Sequence, residues 1–245
     1  MVDAAARAAG QAPLALVTGG SRGLGRAIAG QLAASGWRVI IDGRDPVRLA
    51  EAAREMPAAH RVTALPGDVS DPAHRRSLAD AVAAAGGGLD LLVNNASVLG
   101  PSPQPALADY PLEDLQRVYD VNTLAPLALL QDLLPALVSR AGRVLNVSSD
   151  AAVEAYQGWG GYGSSKAALD QLSAVLAVEH PDLRVYAFDP GDMATDLHQQ
   201  AFPGEDISDR PAPESVVPAL LRLVTGELPS GRYRAADLAT PGGPA

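Results

Sequence analysis

Short apolar runs alternate along this chain with segments whose apolar residues recur at helical spacing. The runs are Leu14-Ala15-Leu16-Val17-Thr18, Trp37 to Ile41, Arg61 to Pro66, Leu89 to Val93, Arg143 to Ser148 and Arg184 to Phe188. Brief, nearly unbroken apolar stretches bounded by turn residues are the pattern of strands buried on both faces. Between them, Arg26 to Ser35 reads as a helix closed by Gly36. A second helix is capped by Asp45 and begins with Pro46, and a third is capped by Ser70 or Asp71 with Pro72 in its first turn. Leu112 to Val138 is helical in pattern, with kinks expected at Pro126 and Pro135. Two more helices are predicted, from Tyr162 to about Glu179 and from Pro213 to Thr225. Strands alternating with helices predict an α/β fold: a doubly wound parallel sheet of about seven strands, helices on both faces. Gly231 to Leu238 supplies a short edge strand. Asp189-Pro190-Gly191 opens an irregular stretch, and residues 192–213 are expected to form a lid over the substrate.

Composition narrows the class. The chain of 245 residues suits one domain spanning 1–245, with residues 1–12 an alanine-rich, disordered leader that lacks the apolar core of a signal peptide. No apolar run is long enough to predict a membrane span. The chain has no cysteine, which removes disulfides, thiol nucleophiles and thiolate metal sites and points to a reducing cytoplasm. A net charge of −9 disfavours nucleic acid and anionic membranes as partners. His60, His74, His180 and His198 stand singly without ligand spacing, so a place on the surface or in core packing is expected of them and no metal site. No Gly-x-Ser-x-Gly elbow appears, which disfavours a hydrolase.

Candidate chemistry begins at the first strand, which leads into Gly19-Gly20-Ser21-Arg22-Gly23-Leu24-Gly25. Strand, glycine-rich turn and helix in that order let a pyrophosphate approach the backbone at a helix N-terminus. At the end of the second strand, Arg44 and the nearby Arg22 could grip a ribose 2′-phosphate, whereas Asp42 would suit a free 2′-hydroxyl. Asp42 is expected to point to the face opposite Gly43, which favours NADP(H) over NAD(H). Asp68, at the end of the third strand, could accept from an adenine amino group. Asn94 and Asn95 can brace the sheet or touch a ribose. Asn122, in an apolar context, is either a backbone-bonded core amide or part of a water relay. Tyr162 and Lys166 lie four residues apart and so share one helical face, with Ser149 upstream. A cation near a phenol lowers its pKa and fits it for proton exchange with an alcohol or carbonyl, and Ser149 could hold the reacting oxygen. Of the nineteen Lys and Arg, Lys166 is the single lysine. Its compact ammonium does something there that a planar guanidinium cannot.

Together these pieces resemble the short-chain dehydrogenase/reductase family in its small single-domain form, over roughly residues 14–225. The likeness rests on Thr18 to Gly25, Asp68-Val69, Asn94-Asn95-Ala96, Asn122, Ser149, Tyr162-x-x-x-Lys166 and Pro190-Gly191-x-x-x-Thr195. It implies a Rossmann-like fold in which Tyr162 is the general acid/base and Ser149 orients the carbonyl. Lys166 would lower the Tyr162 pKa and hold the nicotinamide ribose, and Asn122 would anchor a water relay. Cofactor contacts would come from Gly19, Ser21, Arg22, Gly23, Leu24, Gly25, Arg44, Asp68, Val69, Asn95, Ala96, Pro190 and Thr195, of which Pro190 and Thr195 fix the carboxamide. Ser97 stands where the family usually has glycine, with little effect expected, and Asp150 puts a charge beside Ser149. The ending Gly231-Arg232-Tyr233-Arg234 departs from the family pattern, although a homodimer or homotetramer is expected.

The reading is an NADPH-dependent carbonyl reductase, reversible as an alcohol dehydrogenase, acting on a small molecule with apolar or aromatic parts. Tyr156, Trp159, Met193, Leu197 and Phe202 are the candidate wall. The alternatives are an epimerase or dehydratase on the same fold, or a non-catalytic nucleotide-bound regulator.

Overall fold

The computed structural model describes residues 11–238; the expected leader and the C-terminal tail fall largely outside them. Seven parallel strands form one sheet: β1 (Leu14–Val17), β2 (Arg38–Gly43), β3 (Val62–Pro66), β4 (Leu91–Asn94), β5 (Arg143–Val147), β6 (Arg184–Asp189) and β7 (Gly231–Arg234). Their order is β3-β2-β1-β4-β5-β6-β7. The chain winds outward from β1 in one direction and from β4 in the other, so a crevice opens above the β1/β4 pair.

The pleat explains the apolar runs. Ala15 and Val17 pack on one side, against Leu24, Ile28 and Leu32 of α1 (Gly23–Ala34), Leu49 of α2 (Pro46–Glu55) and Leu220 of α8 (Val217–Thr225). Leu14 and Leu16 pack on the other, with Leu78 of α3 (Pro72–Ala84), Leu129 and Leu133 of α5 (Ala125–Val138) and Leu176 of α6 (Gly160–Glu179). Every residue of β1 is buried. Two cores on two faces require strands apolar on both, which is why alternation is missing from the sequence.

Several local expectations change. Leu112–Val138 is continuous, but its irregularity lies at a π-helical turn, Asp120–Leu124, between α4 (Leu112–Tyr119) and α5. Pro126 is the second residue of α5, directly after the π turn. By length and composition this helix could cross a membrane; half of its most apolar window is buried inside the fold, and Val118, Val121 and Leu129 are fully or nearly fully covered. Residues 192–213 are not wholly irregular, since they carry the short helix α7 (Asp196–Ala201). The strand expected from Gly231 to Leu238 ends at Arg234, and Ala235–Leu238 turns into α9, burying Ala235 and Leu238.

Candidate active site

The glycine-rich turn is held from below. Gly19 has φ +67, a conformation that favours glycine. Its N–H donates to Asp42 Oδ1 at 2.6 Å, and Asp42 Oδ2 faces His74 Nε2 at 3.2 Å. Asp42 is 1% exposed. Both its oxygens brace the turn and α3, on the face opposite Gly43, although Asp42 also borders the cleft described below. His74 is packed in the core, and its partnership with Asp42 is a contact its solitary place in the sequence did not announce. Asn95 Nδ2 donates to the Thr18 and Gly19 carbonyls, and Thr18 Oγ1 accepts from the N–H groups of Asn95 and Ala96. Asn94 braces the sheet through Asn146, which in turn donates to Ser173. A Cβ on Gly25 would stand 2.4 Å from both Asn95 Nδ2 and the Gly19 carbonyl oxygen. Gly25→Ala is therefore expected to cost roughly 1–3 kcal/mol by overpacking, and to weaken nucleotide binding, read by thermal melting with and without NADPH.

Above the turn lies a cleft of about 600 Å³. At one end it is lined by Arg22, Arg44, Arg48, Asp68, Val69 and Arg117. Arg48 and Arg117 were absent from the sequence reading, although Arg48 is one turn into the helix that Asp45 caps. Arg22 is paired with Asp196 of α7, and Arg48 lies 3.6 Å from the same carboxylate. An anion already sits between two arginines at this spot. Burial pushes the Asp68 carboxyl up, but the Ser70 hydroxyl and N–H and the Arg117 guanidinium outweigh it and hold the pKa at about 2.

At the other end, Ser149, Tyr162 and Lys166 come together with Ser97, Asp150 and Trp159. Lys166 Nζ donates to the Val147 carbonyl at 2.8 Å and lies 5.6 Å from the Tyr162 ring centre. Both side chains are almost fully buried. Here the expected electrostatics change sign. Burial pushes the Tyr162 phenol well above its ordinary value; the Ser97 and Ser149 hydroxyls pull it down less strongly, and Asp150 and Asp189 add to the rise. Burial also lowers Lys166 to about 8, with Asp170 pulling the other way. Desolvation of each group outweighs their proximity.

Asn122 is fully buried within the π turn. Its Oδ1 accepts from Ser97 Oγ and the Val98 N–H, and its Nδ2 donates to the Val98 carbonyl and Ser165 Oγ. All four side-chain valences are filled, so the amide itself has none left for a water. Ser97, expected to matter little, joins Asn122 to the phenol. Pro190 and Thr195 both line the cleft, and Thr195 caps α7 through the His198 N–H. His198 also lines the cleft, a placement its solitary position in the sequence gave no sign of. Trp159 meets Tyr156, Tyr162 and Phe202 ring to ring. Arg232 of β7 binds three things at once: Asp170 Oδ2 at 3.0 Å, Asp189 Oδ2 at 3.1 Å and the Ser149 carbonyl at 2.9 Å.

The family model for short chain dehydrogenases matches residues 13–206. The chain belongs to the short-chain dehydrogenase family. This short-chain dehydrogenase is 42% identical over 173 residues to the rhamnolipids biosynthesis 3-oxoacyl-[acyl-carrier-protein] reductase of Pseudomonas aeruginosa; the match spans 68% of this chain but 66% of that reductase. It is 34% identical over 199 residues to sepiapterin reductase of Mus musculus, 76% of each chain. Among solved structures, an Escherichia coli protein described as a short-chain dehydrogenase and complexed with NADPH superposes with a TM-score of 0.84 at 30% identity, over 91% of this chain and 96% of that one.

Proposed function

We propose that this short-chain dehydrogenase is an NADPH-dependent carbonyl reductase, reversible as an alcohol dehydrogenase. The observation that carries the reading is the convergence of Ser149, Tyr162 and Lys166 on the cleft that the glycine-rich turn also lines. The names of the two reductase relatives and of the neighbour solved with NADPH support it. The cleft fits the cofactor. Gly23 has φ +52 and a Cβ there would face Thr195 Cγ2 at 3.6 Å, so a side chain would narrow the passage, and a carboxylate already occupies the Arg22/Arg48 pair.

In this reading Arg22 and Arg44, with Arg48, hold the 2′-phosphate, while Asp68 and Val69 take the adenine. Asn95 and Ala96 border the ribose, and Pro190 and Thr195 fix the carboxamide. The bound nucleotide supplies the hydride. Ser149 holds the substrate oxygen, and Tyr162 gives it the phenolic proton as the C=O bond becomes an alcohol. A buried phenol whose pKa is raised carries its proton at neutral pH, the form from which a reduction draws it, although the rise by itself makes the phenol a weaker acid. Lys166, positively charged below about 8, offsets the charge left on the phenol. Asn122 fixes the positions of Ser97 and Ser165 around it.

The test is NADPH oxidation across a panel of ketones and aldehydes, with NADH in parallel. Replacing Arg22 and Arg44 by Ser is expected to raise KM for NADPH roughly ten- to a hundredfold, the loss of charge-assisted bonds, and to leave KM for NADH nearly unchanged. Faster turnover with NADH in the wild type would sink the assignment of the arginines to a phosphate.

A further inference from the structure

Ser149 has one hydroxyl proton, and the structure spends it on its neighbour. Ser149 Oγ donates to Asp150 Oδ1 at 2.9 Å. That carboxylate also accepts from the Ala151 N–H at 2.8 Å and from the Tyr156 hydroxyl at 3.0 Å. Asp150 lines the cleft beside Tyr162, and among the described residues no arginine, lysine or histidine forms an ion pair with it. The groups whose charge acts alongside it near Tyr156 are Glu154 and Asp192, both acidic.

A hydroxyl cannot give one proton to two acceptors. To orient a carbonyl, Ser149 must rotate its proton off Asp150, and the carboxylate then loses a charge-assisted bond of the strong kind. A substrate that brings its own donor to Asp150 makes good the loss. Ser149 Oγ and Asp150 Oδ1 are 2.9 Å apart, a spacing that a carbonyl and a donor on the adjacent carbon can bridge together. An anionic group in the same place would instead face a carboxylate that no cation pairs with among the described residues, Lys166 donating to the Val147 carbonyl.

Resting on the reductase reading above, we propose that Asp150 is a specificity residue, selecting carbonyl compounds with a hydroxyl or ammonium donor on the carbon next to the carbonyl and rejecting those with a carboxylate there. The selection comes from donor and acceptor bookkeeping at the reacting oxygen, and the aromatic wall of Trp159 tolerates a ring on the other side.

The experiment measures kcat/KM with NADPH for three matched ketones: 2-hydroxyacetophenone, 2-methoxyacetophenone and phenylglyoxylate. The methoxy compound keeps the oxygen and removes only the donor. The hydroxyketone is expected to exceed it roughly ten- to a hundredfold, the worth of a hydrogen bond to a charged group, with phenylglyoxylate slowest. In Asp150→Asn the hydroxy/methoxy ratio should shrink to within a few-fold and phenylglyoxylate should gain. Equal rates for the first two ketones in the wild type, or an unchanged ratio in the variant, would overturn the proposal while leaving the reductase reading intact. If the variant does not fold, the wild-type ratio decides alone. Silence on all three ketones and on the wider panel would overturn the reductase reading, and this proposal with it.

Discussion

Tyr162→Phe is expected to lower kcat/KM for ketone reduction by about a thousandfold, within the range that one general acid contributes, while the protein folds and binds NADPH as the wild type does. The ring of Tyr162 packs against Leu99 and Ala151 and edge-on to Trp159, and phenylalanine preserves all of that. What the substitution deletes is the proton donor. Ser97 and Ser149 keep hydrogen-bonding partners of their own in Asn122 and Asp150, so the remaining hydroxyls are not stranded. Stopped-flow turnover beside a fluorescence titration of NADPH separates the two effects. Normal turnover in the variant would remove Tyr162 from the mechanism altogether.

Lys166→Met should move stability and activity in opposite directions. Burial lowers the folded-state pKa of Lys166 from 10.5 to about 8. The folded protein thus binds this proton less readily than the unfolded chain does. The contribution to stability is fully present only above 10.5 and is lost as pH falls through about 8, so at pH 7 the fold carries a buried ammonium at a cost of about 3 kcal/mol. Methionine removes the charge but leaves the Val147 carbonyl without its donor, which returns roughly 1–3 kcal/mol. The variant is expected to be more stable than the wild type at pH 7 by about 1 kcal/mol. That advantage should shrink and then reverse as pH rises from 8 to 10.5. Turnover should fall on the order of a hundredfold or more through loss of the charge beside the phenol. Urea unfolding at pH 7 and pH 10 reads the stability; a variant weaker at both would show that the ammonium is not a burden on the fold.

What the sequence made legible was whatever depends on period and order. Apolar runs placed the first six strands within a few residues, because strands such as β1, β4 and β5, covered on both faces, have little polar register to misread; β7, Gly-Arg-Tyr-Arg and half-exposed, carries no such run and its end was overshot. The Tyr162–Lys166 spacing survived because helical geometry alone brings the pair to one face, and the orientation of Asp42 followed from strand alternation. What stayed hidden depends on contacts far apart in the chain. Arg117 reaches Asp68 across 49 positions, Arg22 reaches Asp196 across 174 and Arg232 reaches Asp189 across 43; nothing local announces any of them. The sign of the phenol's shift was hidden for a related reason. Spacing shows that a cation is near, but burial, which decides the balance here, belongs to the assembled fold. Ser97 was discounted as one small residue for another, yet its hydroxyl is what links Asn122 to the site.

The grip of Arg232 on Ser149 also has a meaning in time. The glycine turn, its brace Asp42, the cations Arg22, Arg44 and Arg48 and the tyrosine helix all lie earlier in the chain than β7, the last in chain order of the seven described strands. Until residues 231–234 pair with β6, the carboxylates of Asp170 and Asp189 face each other without their shared cation, and the main chain that carries Ser149 lacks its anchor. The serine's main chain is thus braced by an arginine that a growing chain makes after every other group named here.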